Sequence, residues 1–177
     1  MPGMATKSES PIEFLRKALK KVYMAFIKHN LKYLEELNTI NPRLKIQAQE
    51  KVTLPIPPWQ HILADISKLA AATHAKIQEG VLFSNKAVSE VREFFEGTDE
   101  LLRHTQDLLL TQNPILRQYI LDKVAEYENK MRHFTTEHEE RLIKGICLPR
   151  SSNLYLALID AFKDMIWRLG IIAKGCE

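Results

Sequence analysis

Three acidic residues, Asp160, Asp164 and Glu126, are the residues of this chain best suited to binding a metal ion. Asp160 and Asp164 lie four positions apart, so on a helix they share a face, and such carboxylates can chelate a cation if another helix contributes further oxygens. Glu126, on a separate segment, could supply one. Acid pairs at this spacing are also common on solvated helices, so a metal-binding helical bundle is one hypothesis and plain surface charge is the other.

A second polar cluster surrounds His138, which is flanked by Glu137, Glu139 and Glu140. His138 continues an apolar series along the chain, so we interpret it as a buried or boundary histidine with a hydrogen-bond partner. We interpret the acids as a solvated face. No glycine-rich phosphate loop, nucleophile elbow or His-Glu-x-x-His zinc motif occurs in the sequence. We therefore expect no catalytic residues, no cofactor and no enzyme activity.

Length and composition predict one globular domain. The chain has 177 residues, of which 45% are apolar and 27% charged, and its net charge is +3. No run of about 20 apolar residues indicates a membrane span. The two cysteines, Cys147 and Cys176, are too few for a disulfide framework, so we expect free thiols and a soluble, cytoplasmic protein. A net charge this small makes nucleic acid an unfavoured partner.

The first helix is predicted from a capping signal. Ser10 and Glu13 form a capping box around Pro11, which suits the first helical position. Apolar residues at steps of three and four extend the prediction to a helix over residues 10–38, behind a disordered leader at 1–9. Four prolines and an extended-looking stretch then predict a stiff linker over 39–58, because proline removes amide donors and favours extended neighbours.

Helical periodicity returns at residue 59 and continues to the end. Asn113 and Pro114 predict a helix start, Gly145 predicts a helix stop, and Ser151 or Ser152 is expected to cap the last helix. One helix carries the longest apolar series, which consists of Leu116, Ile120, Val124, Tyr127, Met131, Phe134 and His138. We predict an all-α fold in which residues 10–177 form one antiparallel helical bundle.

The first helix is also strongly basic. A solvated helix face is the simplest interpretation, and contact with an acidic partner or an anionic membrane surface is the alternative. A basic-helix binder of membrane surfaces or nucleic acid is therefore another functional hypothesis. The basic residues concerned are Arg16, Lys17, Lys20, Lys21, Lys28 and Lys32.

The junction of the last two predicted helices carries a specific pattern. Residues 138–147 read His-Glu-Glu-Arg-Leu-Ile-Lys-Gly-Ile-Cys, and residues 153–159 read Asn-Leu-Tyr-Leu-Ala-Leu-Ile. This segment resembles the C-terminal helix hairpin of PhoU-like domains, in particular those on the cytoplasmic side of bacterial sodium/phosphate cotransporter family proteins. The matching positions are His138, Arg141, Leu142, Gly145, Cys147, Tyr155 and Leu158.

The resemblance implies a PhoU-like three-helix repeat within residues 59–177, with additional N-terminal helices. It also implies a non-catalytic role in regulating phosphate uptake through contact with a membrane transporter or a signalling protein, with the inner face of the membrane as an alternative location. The family's acidic metal-binding positions fall here on Lys163 and Trp167, which cannot bind a cation, so we expect no bound metal. Association with a second copy of the chain is an open alternative.

Overall fold

The computed structural model of the chain describes residues 10–40 and 58–176. These residues form six α-helices and no strand, which confirms the all-helical prediction for this part of the chain. The leader at 1–9 and most of the predicted 39–58 linker lie outside the described residues. The helices are α1 (Pro11–Lys28), α2 (Lys32–Ile40), α3 (Pro58–Gln78), α4 (Asn85–Thr111), α5 (Pro114–Ile143) and α6 (Pro149–Lys174).

The last helix, α6, lies at the centre of the bundle and packs against α3, α4 and α5. On the far side, α1 packs against both α3 and α4, so α1, α3, α6 and α4 surround one core, and α5 lies against α4 and α6. α2 packs on α1 alone among its strong contacts within the described helices. α1 therefore shares its core with the helices that follow the linker.

The antiparallel arrangement does not extend to every packed helix pair of the bundle. The carboxyl ends of α1 and α3 meet, because His29 contacts Lys76, and the amino-terminal halves of α4 and α6 meet, because Tyr155 contacts Glu90. Both pairs therefore run parallel. The reason is connectivity: α3 and α4 are joined by a short turn but do not pack closely, so α3 packs against α1 and α6 instead.

The predicted first helix is two helices. α1 ends at Lys28, and His29 takes a left-handed conformation with φ of 51° and donates its backbone N–H to Ala25 O. The Asn30 carboxamide oxygen then accepts from Lys32 N at 2.9 Å, which starts α2. The apolar spacing continues unbroken through this point, because α2 folds back and packs Leu34 and Leu37 into the same core.

Two of the three predicted helix starts are confirmed. Ser10 Oγ accepts from Glu13 N at 3.1 Å, and the Asn113 carboxamide accepts from Ile115 N at 2.9 Å. The prediction that Ser151 or Ser152 caps α6 is wrong. The cap position is Leu148, which precedes Pro149, and the two serine hydroxyls instead donate to Leu148 O.

Two of the glycines, Gly145 and Gly97, have clear structural roles. Gly145 has φ of 69° and follows the end of α5, as predicted, because a left-handed residue interrupts the helix. Gly97 lies inside α4, where it allows the Tyr127 ring of α5 to contact the helix backbone: an added Cβ would lie 2.1 Å from the Tyr127 hydroxyl.

The deepest part of the core is aromatic. Phe94, Phe95 and Phe162 have at most 1% of their surface exposed and join α4 to α6, with the Phe95 and Phe162 rings edge to face at 4.8 Å. Such pairs add about 0.5–1.5 kcal/mol to the free energy gained from burial. Among the described residues, no helix combines the length and apolarity needed to cross a membrane.

Candidate functional site

A buried polar cluster joins α4, α5 and α6 at one end of the bundle. The Arg141 guanidinium donates to both carboxylate oxygens of Glu90, at 3.1 and 3.0 Å, and the Tyr155 hydroxyl donates to Glu90 Oε2 at 2.7 Å. The His138 ring stacks on the Tyr155 ring with centroids 4.2 Å apart. Glu90, His138 and Tyr155 are each at most 4% exposed, so this is a core network.

Burial sets the protonation states in this network. Burial, reinforced by the hydrogen bond to Glu90, raises the pKa of Tyr155 strongly, so its phenol stays protonated and acts as a donor. Burial and the neighbouring Arg141 charge lower the pKa of His138, so its imidazole is neutral near pH 7. The network therefore contains one buried ion pair, with a neutral donor on one side and a neutral aromatic ring stacked on that donor.

The geometry gives this cluster a positioning role. It ties the carboxyl end of α5 and the first turns of α6 to α4, and these helices flank the connection 144–148. His138 Nε2 and Arg141 Nε are buried and have no hydrogen-bond partner among the described residues. Each buried polar atom without a partner lowers the stability of the fold by about 1–3 kcal/mol. The fold therefore tolerates a polar cluster at a position where apolar residues would be more stable.

A second buried charge lies at the same end of the bundle. Lys76, at the end of α3, is 4% exposed, and its Nζ lies 3.1 Å from His29 Nδ1. The same ammonium lies 5.0 Å from the Phe26 ring centroid and 5.3 Å from that of Phe83. No carboxylate lies within ion-pair distance of Lys76 among the described residues. Burial accordingly lowers the pKa of Lys76, and burial together with the Lys76 charge lowers that of His29.

Replacing Lys76 with methionine is expected to stabilise the protein by about 1 kcal/mol near pH 7, because a desolvated cation is removed from an apolar site. Lys76 has a lower pKa in the folded chain than its ordinary 10.5, so between those two values the unfolded chain binds more protons. Raising the pH through that window therefore stabilises the wild type, and the advantage of Lys76→Met should disappear near pH 10.5.

The measurement is urea unfolding of wild type and Lys76→Met across this pH range. Lys163→Met, which removes an exposed ammonium, is the matched control and should change the unfolding free energy by less than about 0.5 kcal/mol at every pH. A Lys76→Met variant less stable than wild type near pH 7 but equal to it near pH 10.5 would show that the cation–π contacts outweigh desolvation.

Exposed apolar side chains lie on or beside the two connections at this end of the bundle, which are residues 79–84 between α3 and α4 and residues 144–148 between α5 and α6. The connections are neighbours, because Arg150 Nε donates to Glu79 Oε2 at 2.8 Å and Lys86 pairs with Glu137 at 2.7 Å. We call four exposed apolar side chains, three on these connections and one on the last residue of α5, the end patch. They are Leu82 (78% exposed), Ile143 (86%), Ile146 (66%) and Leu148 (73%).

The three metal-ligand candidates do not converge. Glu126 accepts from Lys123 and Lys130, whereas Asp164 faces α3 and pairs with Lys68 at 3.0 Å. Asp160 lines a groove of about 560 Å³ between α5 and α6. The described residues contain no group of three His, Cys, Asp or Glu side chains that could hold a metal ion. Glu126, Asp160 and Asp164, the alternative ligand set, therefore do not form one site in the described part of the chain.

Asp164 belongs instead to a charge network between α3 and α6. Asp65 is 1% exposed and accepts from Lys68 at 2.8 Å and from Arg168 at 2.9 Å, while Lys68 also reaches Asp164. Lys163 and Trp167, which occupy the positions of the acidic metal-binding residues in the resembling family, differ in environment. Lys163 lines the α5–α6 groove, and Trp167 is 52% exposed.

The seven motif positions include three members of the buried cluster, namely His138, Arg141 and Tyr155. Leu158 is a fully buried core residue and Leu142 is half-buried, while Gly145 and Cys147 lie in the connection, with Cys147 a free, half-buried thiol. The prediction of a buried or boundary histidine with a hydrogen-bond partner at 138 is confirmed: His138 is 2% exposed, and Arg141 Nη2 donates to its Nδ1 at 3.4 Å.

Glu90 is the cluster member that the sequence reading missed. It occupies a position of the buried stripe of α4, between Ala87 and Val91 on the side that also carries Phe94. A carboxylate at a core position of an amphipathic helix indicates a buried ion pair, because a buried acid needs a partner of opposite charge. The partner itself, fifty-one residues further on, could not be chosen from spacing alone.

Comparisons with known proteins give this chain no relative: no family model, no curated protein and no solved structure matches it.

Proposed function

We propose that this chain is a non-catalytic regulatory module that binds a protein partner through the end patch. The observation that carries the proposal is that four exposed apolar side chains and the buried Glu90–Arg141–Tyr155 network lie at the same end of the bundle. Exposed apolar residues that cluster mark interaction sites, and a binding surface gains affinity when the elements that present it are already rigid. The network supplies that rigidity.

The partner we propose is a component of phosphate uptake, either a membrane transporter or a signalling protein that reports to one. The support is the resemblance of residues 138–172 to PhoU-like hairpins, together with the position of that segment. Its polar motif residues form the buried network, and Ile143, Ile146 and Leu148 of the same segment form most of the end patch. The part that resembles the family is thus also the part that presents the proposed surface.

The test is co-purification with a phosphate transporter from membranes of the same cell. We expect the wild type to retain the transporter and Ile143→Gln/Ile146→Gln to retain at least about tenfold less of it, the loss expected when the truncated residues are hot spots that cost more than about 1 kcal/mol. Both side chains are exposed, so the free energy of unfolding should change by less than about 0.5 kcal/mol.

The chain offers a matched control at the opposite end of the bundle. Leu110 (78% exposed) and Ile115 (79%) flank the α4–α5 turn, about 40 Å away along α4. Leu110→Gln/Ile115→Gln should bind like wild type. Equal loss in both double variants would show general surface stickiness, and failure of the wild type to bind the transporter under low and high phosphate alike would reject the proposal.

A further inference from the structure

The two N-terminal helices form a separate surface feature. Between α1 and α2 runs a groove of about 330 Å³ whose apolar lining includes Phe14, Met24, Tyr33 and Leu37. Phe14, Met24 and Tyr33 are only half-buried, so they remain accessible at the surface. The strip from Phe14 to Met24 is about 15 Å long.

All the charged side chains that line this groove are lysines, namely Lys17, Lys20 and Lys21. At about 100° per residue they fall on the same side of α1 as Phe14 and Met24, so ammonium groups and apolar side chains alternate along one face. Lys21 pairs with Glu36 beside the groove and lies 6.0 Å from the Tyr33 ring centroid. Among the described residues that line it, the groove carries positive charge and no carboxylate.

The other cation at this level of α1 has a different role. Arg16 donates two hydrogen bonds to Asp99, at 2.8 and 2.9 Å, and thereby fastens α1 to α4. Arginine is suited to such fixed, planar pairing with a carboxylate, whereas lysine carries a point charge on a flexible stem. Among the described residues, the cations that line the groove are lysines, whose flexible stems can follow mobile anions.

We propose that the α1–α2 groove is a docking face for an anionic phospholipid membrane surface. The lysine stems lie along the apolar strip and extend their ammonium groups to headgroup phosphates. Phe14, Met24 and the Tyr33 ring then lie at the boundary between headgroups and acyl chains, where amphipathic helices and tyrosines gain most. This surface is distinct from the end patch, and the proposal stands without the proposed function.

Flotation with lipid vesicles tests the proposal in the absence of any partner protein. The full chain should float with phosphatidylglycerol vesicles at low salt and remain unbound with phosphatidylcholine vesicles. Each lysine near an anionic surface increases binding about fivefold, so Lys17→Gln/Lys20→Gln/Lys21→Gln should weaken partitioning by about 100-fold. Phe14→Ser should weaken it further, because the apolar strip contributes independently of charge.

The matched control is Lys144→Gln/Lys163→Gln/Lys174→Gln, which removes the same charge from exposed positions outside α1 and α2. It should lower partitioning by less than about fivefold. Equal loss in the two triple variants, or no flotation of the wild type, would overturn the proposal. So would groove-dependent binding of a synthetic leucine–glutamate amphipathic helix without flotation on phosphatidylglycerol, because the groove would then take a protein segment.

Discussion

Glu90→Gln is expected to lower the free energy of unfolding by about 3–5 kcal/mol, the largest loss we predict for a polar substitution in this chain. The amide keeps the size of the carboxylate, but it leaves the Arg141 guanidinium, which is 13% exposed, without its counter-charge. A buried charge that loses its partner retains the full penalty of desolvation. Urea unfolding near neutral pH, followed by far-UV circular dichroism, measures the effect.

The same helix supplies the control for this prediction. Glu93 pairs with Lys130 at 2.6 Å, but its side chain is 39% exposed, so Glu93→Gln should cost less than about 1 kcal/mol. The double variant Glu90→Gln/Arg141→Met should recover part of the loss, because it removes the stranded cation as well. Equal costs for the Glu90 and Glu93 variants would show that solvent screens the buried pair.

Gly97→Ala is expected to destabilise the protein by about 1–3 kcal/mol, although alanine is the better helix former by roughly 0.5–1 kcal/mol. The new methyl group would meet the Tyr127 ring, with Oη at 2.1 Å and Cζ at 2.2 Å. That ring is 8% exposed and lies edge to face with Phe94 at 6.2 Å, so it cannot move away without losing packing. Thermal unfolding of the variant measures the loss.

A second helical glycine makes the comparison quantitative. At Gly170 an added Cβ would lie 3.2 Å from a Val124 methyl group, a contact that a small shift relieves. Gly170→Ala should therefore be within about 1 kcal/mol of wild type. Combining Gly97→Ala with Tyr127→Leu should cost less than the sum of the two single changes, since the smaller side chain leaves room. If the two losses of unfolding free energy were additive, the predicted clash between the new methyl group and the Tyr127 ring would be contradicted.

Local signals in the sequence predicted most of the elements. Capping residues at Ser10 and Asn113, the left-handed glycine at 145 and the three-four spacing of apolar residues act over a few residues, so they can be recognised without tertiary information. The break at His29 was missed because the apolar spacing continues through it, although Asn30, whose carboxamide starts α2, is a local capping signal there. The parallel pairing of α1 with α3, by contrast, depends on connectivity.

The candidate sites divide in the same way. His138 could be placed in the core from its register on α5, but its neighbours Glu90 and Tyr155 come from helices far away in sequence. The acids Asp160 and Asp164 have the right spacing on α6. What the spacing could not predict is that Lys68, ninety-six residues from Asp164, reaches that carboxylate. Pairing between distant helices decides these cases, and helical periodicity carries no information about it.

The central position of α6 has a consequence for biosynthesis. α6 emerges from the ribosome after α3, α4 and α5, and until it does, the apolar faces that these helices turn toward it, including Phe94 and Phe95, stay open to water. The nascent chain must therefore pass through a stage with exposed apolar surfaces. During that stage chaperones bind and aggregation competes with folding. Pauses in translation before residue 149 would lengthen that vulnerable stage.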